Sequence, residues 1–448
     1  MGRKLQIITL LFFIVCGCKK EDANNAPLKA IEVGEIKSHI VSLEQANKIA
    51  VLHSMYPNAL KRSANSDKLM GTFSTPYVAQ QQKPGKSVKS TFRITYDQSQ
   101  ATFYIINYKE GGFAIISGDD RTVPILAFSE KNQFPIHKNV KYPGGLVFWL
   151  KSNHEFIKEL RVKNGKQSDF VKSSWKDIEM KSQLSRGNYS VLNDFPPCAE
   201  ENVGEYYSTD INHGPLLSTT WYQGYGFNNA INLGTFNCVS DPNGQPPAGC
   251  VAISMGQIMY YYQHPTSYNW SAMPIDNSGS PEAARLIKDI GMAVGTDYAC
   301  SGSSAFTSNN DDVFIGDFGY SNAVYNSSYD FHTVKNDILN NKPVLLGAID
   351  SNEGWWIFDF SGHQWVADGY QEHISYECRE VIPESGGSEQ YRRPPVATHT
   401  WWPVAEYGYF HMNWGWGGDY NDWYSTHHWA VNGHMYDKGL VMVTNITP

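Results

Sequence analysis

Apolar and polar positions change period several times along the chain, and each change marks an element. Ser42-Leu43-Glu44-Gln45 has the form of a capping box and opens a helix through about His53. Phe92-Arg93-Ile94-Thr95-Tyr96 alternates with period two, as a half-buried strand does. Phe103 to Tyr108 and Phe113 to Ser117 are β-rich runs on either side of Lys109-Glu110-Gly111-Gly112, which reads as a hairpin. Leu146, Val147, Leu150, Phe156, Ile157 and Leu160 predict one more helix. Together these elements make a small α+β unit over residues 38–165. Residues 166–190 are polar and read as a flexible, protease-accessible linker. In the long region 191–448, Val251, Met255, Ile258, Met259 and Tyr262 fit a helix starting at or just before Cys250. Residues 361–370 read as a strand leading into a turn, and 407–413 as a strand entering a Gly-rich loop.

Charge sharpens the division. The 448 residues carry 36 Lys and Arg against 44 Asp and Glu, a net −8 that argues against a general nucleic-acid binder. Residues 1–190 hold 28 basic and 16 acidic side chains, net +12; residues 191–448 hold 8 and 28, net −20. A basic unit docking on an acidic one gains from complementary potentials. Eleven of the 13 Trp fall after residue 220, so the larger core belongs to the acidic unit.

The N-terminus reads as an address. Arg3 and Lys4 precede an apolar run, Ile7 to Cys16, too short to span a bilayer and suited to a signal peptide. Val15-Cys16-Gly17-Cys18 followed by Lys19-Lys20-Glu21-Asp22 resembles a bacterial lipoprotein signal. That resemblance implies a signal peptide over 1–17, lipidation of Cys18, a tether over 18–37, and an exported protein anchored on the cell surface or the periplasmic side of a membrane. Five further cysteines remain: Cys198, Cys238, Cys250, Cys300 and Cys378. An exported chain can form disulfides, and an odd count leaves at least one thiol over. No C-x-x-C pair supports a zinc or thioredoxin-like site.

The remaining chemistry centres on Cys250. A thiol at a helix N-terminus faces unpaired N–H groups and the positive end of the dipole, which favour the thiolate. Gly249 would let a substrate backbone approach closely. Taken alone, Cys250 reads more readily as a buried cysteine on a core helix. A thiolate nucleophile needs a base, and the base needs an orienting group; His363 and Asn413 supply the residue types on adjacent strands.

The order and wording of these segments resemble the streptopain family of papain-like cysteine peptidases: GCVAISMGQIMYYYQHP at 249–265, GHQWVADGY at 362–370, FHMNWGWGG at 410–418 and WYQGYGFN at 221–228. GGFAIISGDDRTVPILAFS at 111–129 is similar to the family's inhibitory propeptide. The resemblance implies an α+β architecture: an inhibitory propeptide over 38–165, an activation linker over 166–190, then a papain-like domain over 191–448 whose nucleophile helix packs on an antiparallel sheet. It implies Cys250 as nucleophile, His363 as general base and then acid, and Asn413 orienting the imidazole. Gln223 with the Cys250 N–H would hold the oxyanion, and Trp414 would shield a His–Asn hydrogen bond from water. The implied partners are protein or peptide substrates with an apolar residue two positions before the cut, and the chain's own propeptide as inhibitor. No metal or other cofactor is implied. Three departures stand out. Ile253-Ser254 replaces a common Thr-Ala, and Gln364 replaces a common Ala and could alter the cleft rim. Residues 371–406 form a long excursion that either overhangs the cleft or elaborates the surface. Two rival functions fit the composition: a surface lipoprotein that binds or inhibits other proteins with a silent site, and a Cys-His amidase of peptidoglycan.

Overall fold

The alternating and helical runs become the following elements in a computed structural model that describes residues 36, 38–55, 84–95, 100–137, 140–184, 198–200, 203, 206–231, 234, 236–348, 362–381, 398–425, 430–431, 434–435 and 439–448. In the N-terminal half these are α1 (Leu43–Met55), β1 (Val88–Thr95), β2 (Ala101–Tyr108), β3 (Phe113–Ser117), β4 (Ile125–Ser129), α2 (Gly144–Val162) and α3 (Asp169–Leu184). The C-terminal half supplies β5 (Tyr206–His213), α4 (Cys250–Tyr262), α5 (Pro281–Ala293), α6 (Asn310–Gly316), β6 (Asn322–Asn326), α7 (Phe331–Leu339), β7 (Val344–Ala348), β8 (His363–Val381), β9 (Thr398–Asn413), β10 (Asp422–Ser425), β11 (Ala430–Val431), β12 (His434–Met435) and β13 (Leu440–Thr447). The fold is α+β, with the nucleophile helix on an antiparallel sheet, as the sequence implies. The lipoprotein motif and its Cys18 lie outside the described residues.

Local signals account for several elements. Ser42 Oγ accepts from the Gln45 N–H (3.2 Å) while Gln45 Oε1 accepts from the Ser42 N–H (2.9 Å), so the capping box closes reciprocally at the start of α1. β2 and β3 form the expected hairpin, turning at Gly111 and Gly112, both at positive φ.

The two halves share one sheet. Its order is β1-β2-β3-β4-β10-β9-β8-β7-β13-β6, with β5 laid along β8. The join is between β4 and β10, where Phe128 pairs with Trp423 and Ala127 with Tyr424. Alternation along the strands sorts the core into two layers. Val366, Leu345 and Val443 face α4 and α5. Trp365, Ala367 and Met442 face the other way, into a core shared with α1, α2 and α3 of the N-terminal half. Trp149 on α2 donates its indole N–H to the Ser425 carbonyl (3.2 Å) and packs edge-on against Tyr424.

Two expectations change here. Residues 169–184 are not a flexible linker but helix α3. Val171, Trp175 and Ile178 recur at helical spacing and are buried, and the Trp175 indole donates to the Thr122 carbonyl (2.8 Å). Their polar neighbours hid this narrow apolar stripe in the sequence. The excursion 371–406 prolongs the β8–β9 hairpin, paired from Tyr370–Phe410 to Val381–Thr398 with one register shift between Ser375 and Tyr376, and so runs away from His363. It serves as a platform for α3, and Asp177 lies 3.4 Å from His373 across that contact. In this pair the acid comes from the basic half, so it does not follow the charge division. Residues 382–397, within the same excursion, lie outside the described residues.

The cysteines pair as Cys198–Cys378 and Cys238–Cys300, which leaves Cys250 as the free thiol among the described residues.

Candidate active site

Cys250, the candidate nucleophile, is placed by a glycine. Gly249, at φ +92°, turns the chain into α4 through a left-handed conformation that strains any side chain, and Cys250 is the first helical residue. The adjoining loop is tied down on both sides: the Cys238–Cys300 bridge spans it, and Ser303 Oγ donates to the Pro247 carbonyl (2.6 Å). At the head of α4 the sulfur meets N–H groups that have no intrahelical acceptor. The Gln364 N–H reaches it at 3.4 Å.

His363 opens β8, opposite Ala348 on β7, and is 8% exposed. Its Nε2 lies 2.9 Å from the Trp414 carbonyl. A carbonyl only accepts, so Nε2 carries the proton and Nδ1 is left for Cys250. Burial pushes the Cys250 thiol up, but the charge and hydrogen bond of His363, with the Gln364 and Val251 N–H groups, more than reverse this and set it below the ordinary thiol value. Burial likewise pushes His363 down, and Cys250 and the Trp414 carbonyl carry it above the ordinary imidazole value. The two directions together describe a thiolate–imidazolium pair.

Asn413 is elsewhere. It pairs with Val366 on β8, so its side chain shares the α4 face with residues 364 and 366, whereas His363 shares the opposite face with Trp365. Asn413 Nδ2 donates to the Thr219 carbonyl (2.8 Å) and to Gln257 Oε1 (3.2 Å). The expected His363–Asn413 hydrogen bond is therefore replaced by His363–Trp414 carbonyl, and strand parity is the reason. Trp414 contributes its backbone as well as its fully buried ring, which lies 5.1 Å from that of Trp365.

Asn413 instead ties the Thr219–Gln223 segment to α4. Gln257, a buried amide on α4, accepts from the Trp221 N–H (3.2 Å), and Trp221 in turn accepts from the Gly417 N–H (3.1 Å). The Gln223 carbonyl accepts from the Ala248 N–H (2.7 Å), which pins residue 223 beside the turn into α4. Gln257 and Thr219 were not singled out in the sequence; the one available signal was a polar residue on an otherwise apolar helix face. Asn413→Ala should cost about 1–3 kcal/mol of stability by orphaning these buried partners. It should leave His363 supported, so kcat should fall far less than in His363→Ala; thermal melts beside casein kinetics check both.

Gln364 is 1% exposed and points toward α4, so it does not line the cleft rim.

Residues 266–424 match the Peptidase C10 family and residues 38–157 match the Spi protease inhibitor family. The thiol protease/hemagglutinin PrtT of Porphyromonas gingivalis is 24% identical over 364 residues, 72% of this chain; the match spans 33% of that longer protein. Streptopain of Streptococcus pyogenes is 22% identical over 357 residues, 71% of this chain and 72% of streptopain. Among solved structures, a fragment of prointerpain A of Prevotella intermedia aligns at a TM-score of 0.48 with 19% identity, covering 80% of this chain and 99% of the fragment. The chain is a cysteine peptidase, similar to the Peptidase C10 family over residues 266–424, with a Spi-type inhibitor domain ahead of its catalytic half.

Proposed function

We propose that the protein is the zymogen of an exported cysteine endopeptidase, anchored by a lipid on Cys18, that hydrolyses peptide bonds in proteins through Cys250 and His363. The observation that carries this reading is the pairing of half-buried Cys250 with buried His363 at the head of α4, with the Trp414 carbonyl fixing the imidazole tautomer. The thiolate attacks the scissile carbonyl carbon, and the oxyanion is held by the Cys250 N–H and the Gln223 amide. His363 gives its Nδ1 proton to the departing amine, leaving a thioester on Cys250. It then takes a proton from water, whose oxygen attacks the thioester; the sulfur departs as thiolate and the acid is released. The two disulfides support an oxidising, extracytoplasmic location. The inhibitor domain, sharing its sheet with the catalytic half, supports control by the chain's own propeptide.

The test is soluble protein starting at about residue 24, held near neutral pH with reductant and followed by intact mass and casein cleavage. The expected result is a shortened chain that cuts casein and is stopped by a thiol reagent. Silence even after a trace of foreign protease has released the propeptide would overturn the reading, and cleavage of purified sacculi in place of casein would make it an amidase.

The pH profile follows from the two directions. The active form needs a thiolate, lost as pH falls through a Cys250 value below the ordinary thiol, and an imidazolium, lost as pH rises through a His363 value above the ordinary imidazole. Activity should hold a plateau between these limbs. A casein rate that rises only above the ordinary thiol pKa, about 8.5, would exclude the ion pair.

A further inference from the structure

Two of the residues that depart from the family's common pattern, Ser254 and Gln364, are bonded to each other. Gln364 Nε2 donates to Ser254 Oγ (2.9 Å), and Ser254 Oγ donates to the carbonyl of Cys250 (2.8 Å). From the other side, Asn310 Nδ2, at the start of α6, donates to Gln364 Oε1 (2.9 Å). The three side chains are 1%, 1% and 0% exposed. Asn310 Oδ1 is buried without a partner, so this side chain acts on the site through the one bond it gives Gln364. The Gln364 backbone N–H is also the group that reaches the Cys250 sulfur. One residue therefore grips the nucleophile at both ends: its sulfur directly, and its carbonyl through Ser254.

A polar chain buried in this layer is costly unless every link is made, and an aliphatic pair would fill the space as well. The network also ends on the nucleophile's own carbonyl, and it ties the first turn of α4 to the first residues of β8, where His363 sits. We propose that Gln364 is a positioning residue for the peptidase reaction: acting through Ser254 and held by Asn310, it sets the separation of the Cys250 sulfur from the His363 imidazole. The inference rests on the Cys–His reading of the site and deepens it.

The test uses the full chain as wild type, Gln364→Met, Ser254→Ala and the double variant. Alkylation of Cys250 by iodoacetamide is followed by intact mass from about pH 4 to 9, with Cys250→Ala as blank. Casein kcat and KM are measured after processing, and thermal melts report folding. In Gln364→Met the alkylation midpoint should rise by about one unit. Its kcat should fall about ten- to a hundredfold, the scale of a misplacement of about 1 Å, with KM nearly unchanged. Ser254→Ala should move both in the same direction. The double variant should be no worse than Gln364→Met, because both act through one chain of bonds. Folded variants with the wild-type alkylation midpoint, or effects that multiply independently, would overturn the proposal. If Gln364→Met fails to fold, Ser254→Ala decides it alone by the same midpoint. A wild-type thiol unreactive at neutral pH would overturn the Cys–His reading and this inference with it; a reactive wild type matched by its variants overturns only the inference.

Discussion

Replacing Cys250 with alanine should remove all but about 10⁻⁴ to 10⁻⁶ of the casein activity and should leave the chain at its full mass under conditions where wild type shortens. The size follows from the site. The sulfur is the attacking atom, and without it no thioester can form. The rest of the apparatus, from the Gln223 segment to the His363–Trp414 bond, then has no acyl group to work on. Cys250→Ser should fall nearly as far, because a hydroxyl cannot form the ion pair that lowers the thiol and raises the imidazole. Mixing wild type with the intact alanine variant separates cleavage in trans from cleavage in cis. An alanine variant that still shortens by itself, free of contaminating protease, would show that Cys250 is not the nucleophile.

The second large effect concerns the seam between the halves. A chain cut between α3 and Cys198, ahead of the Cys198–Cys378 bridge, should stay together on gel filtration at micromolar concentration, and separation should require denaturant or digestion of the N-terminal half. Contacts across the seam include the β4–β10 ladder, the shared aromatic core around Trp149 and Tyr424, the Asn132 amide on Asp422 (2.8 Å) and α3 on the β8–β9 platform, with Asp177 beside His373. Gly145 on α2 sits so close to the indoles that an added Cβ would lie 2.5 Å from Trp365 and 2.7 Å from Trp414. Gly145→Leu should therefore force α2 off the catalytic face. Trp149→Ala should weaken association by about 3–5 kcal/mol, which is more than a hundredfold in Kd. Isothermal titration of the separated halves measures both, and cut halves that part at once in native buffer would refute the picture.

This seam should also respond to pH. Burial raises the Asp422 carboxyl to about 6, against the opposing pull of Asn132, His411, Ser129 and Lys131 around it. The joined state thus prefers Asp422 protonated. Its contribution is full below the ordinary carboxylate value, about 4, and is lost as pH rises through about 6. Titrations at pH 4 and 7 should show tighter association at the lower value, and Asp422→Asn should flatten the difference.

What the sequence made legible follows from the range of the interactions involved. The capping box of α1, the β2–β3 hairpin and the start of α4 depend on neighbours within a few residues, and each formed where local chemistry put it. Asn413 shows the limit. Its residue type and spacing fitted an orienting role, but the face it occupies depends on its pairing with Val366, a register set 47 residues away in sequence. A backbone carbonyl such as that of Trp414 leaves no mark in a sequence at all, since every residue has one. Helix α3 does not stand out because Val171, Trp175 and Ile178, set among lysines and serines, look like noise until a partner surface exists for them. Gln364 and Ser254, separated by 110 positions, could be noticed as unusual but not as a bonded pair.

The Cys198–Cys378 bridge closes the chain into a covalent ring of 180 residues' separation that contains Gln223, Cys250 and His363 and excludes Trp414. A single nick between residues 199 and 377 would open this ring without breaking the chain into separate molecules, whereas a nick just before Cys198 ends the covalent link to the N-terminal half and leaves only the seam to hold it. The same break in the backbone thus has opposite consequences on the two sides of one cysteine. Under oxidising conditions the nucleophile and its base stay joined through self-digestion. Reductant, which keeps the Cys250 thiol available, would also remove that tether, so the condition that frees the reactive thiol loosens the frame around it.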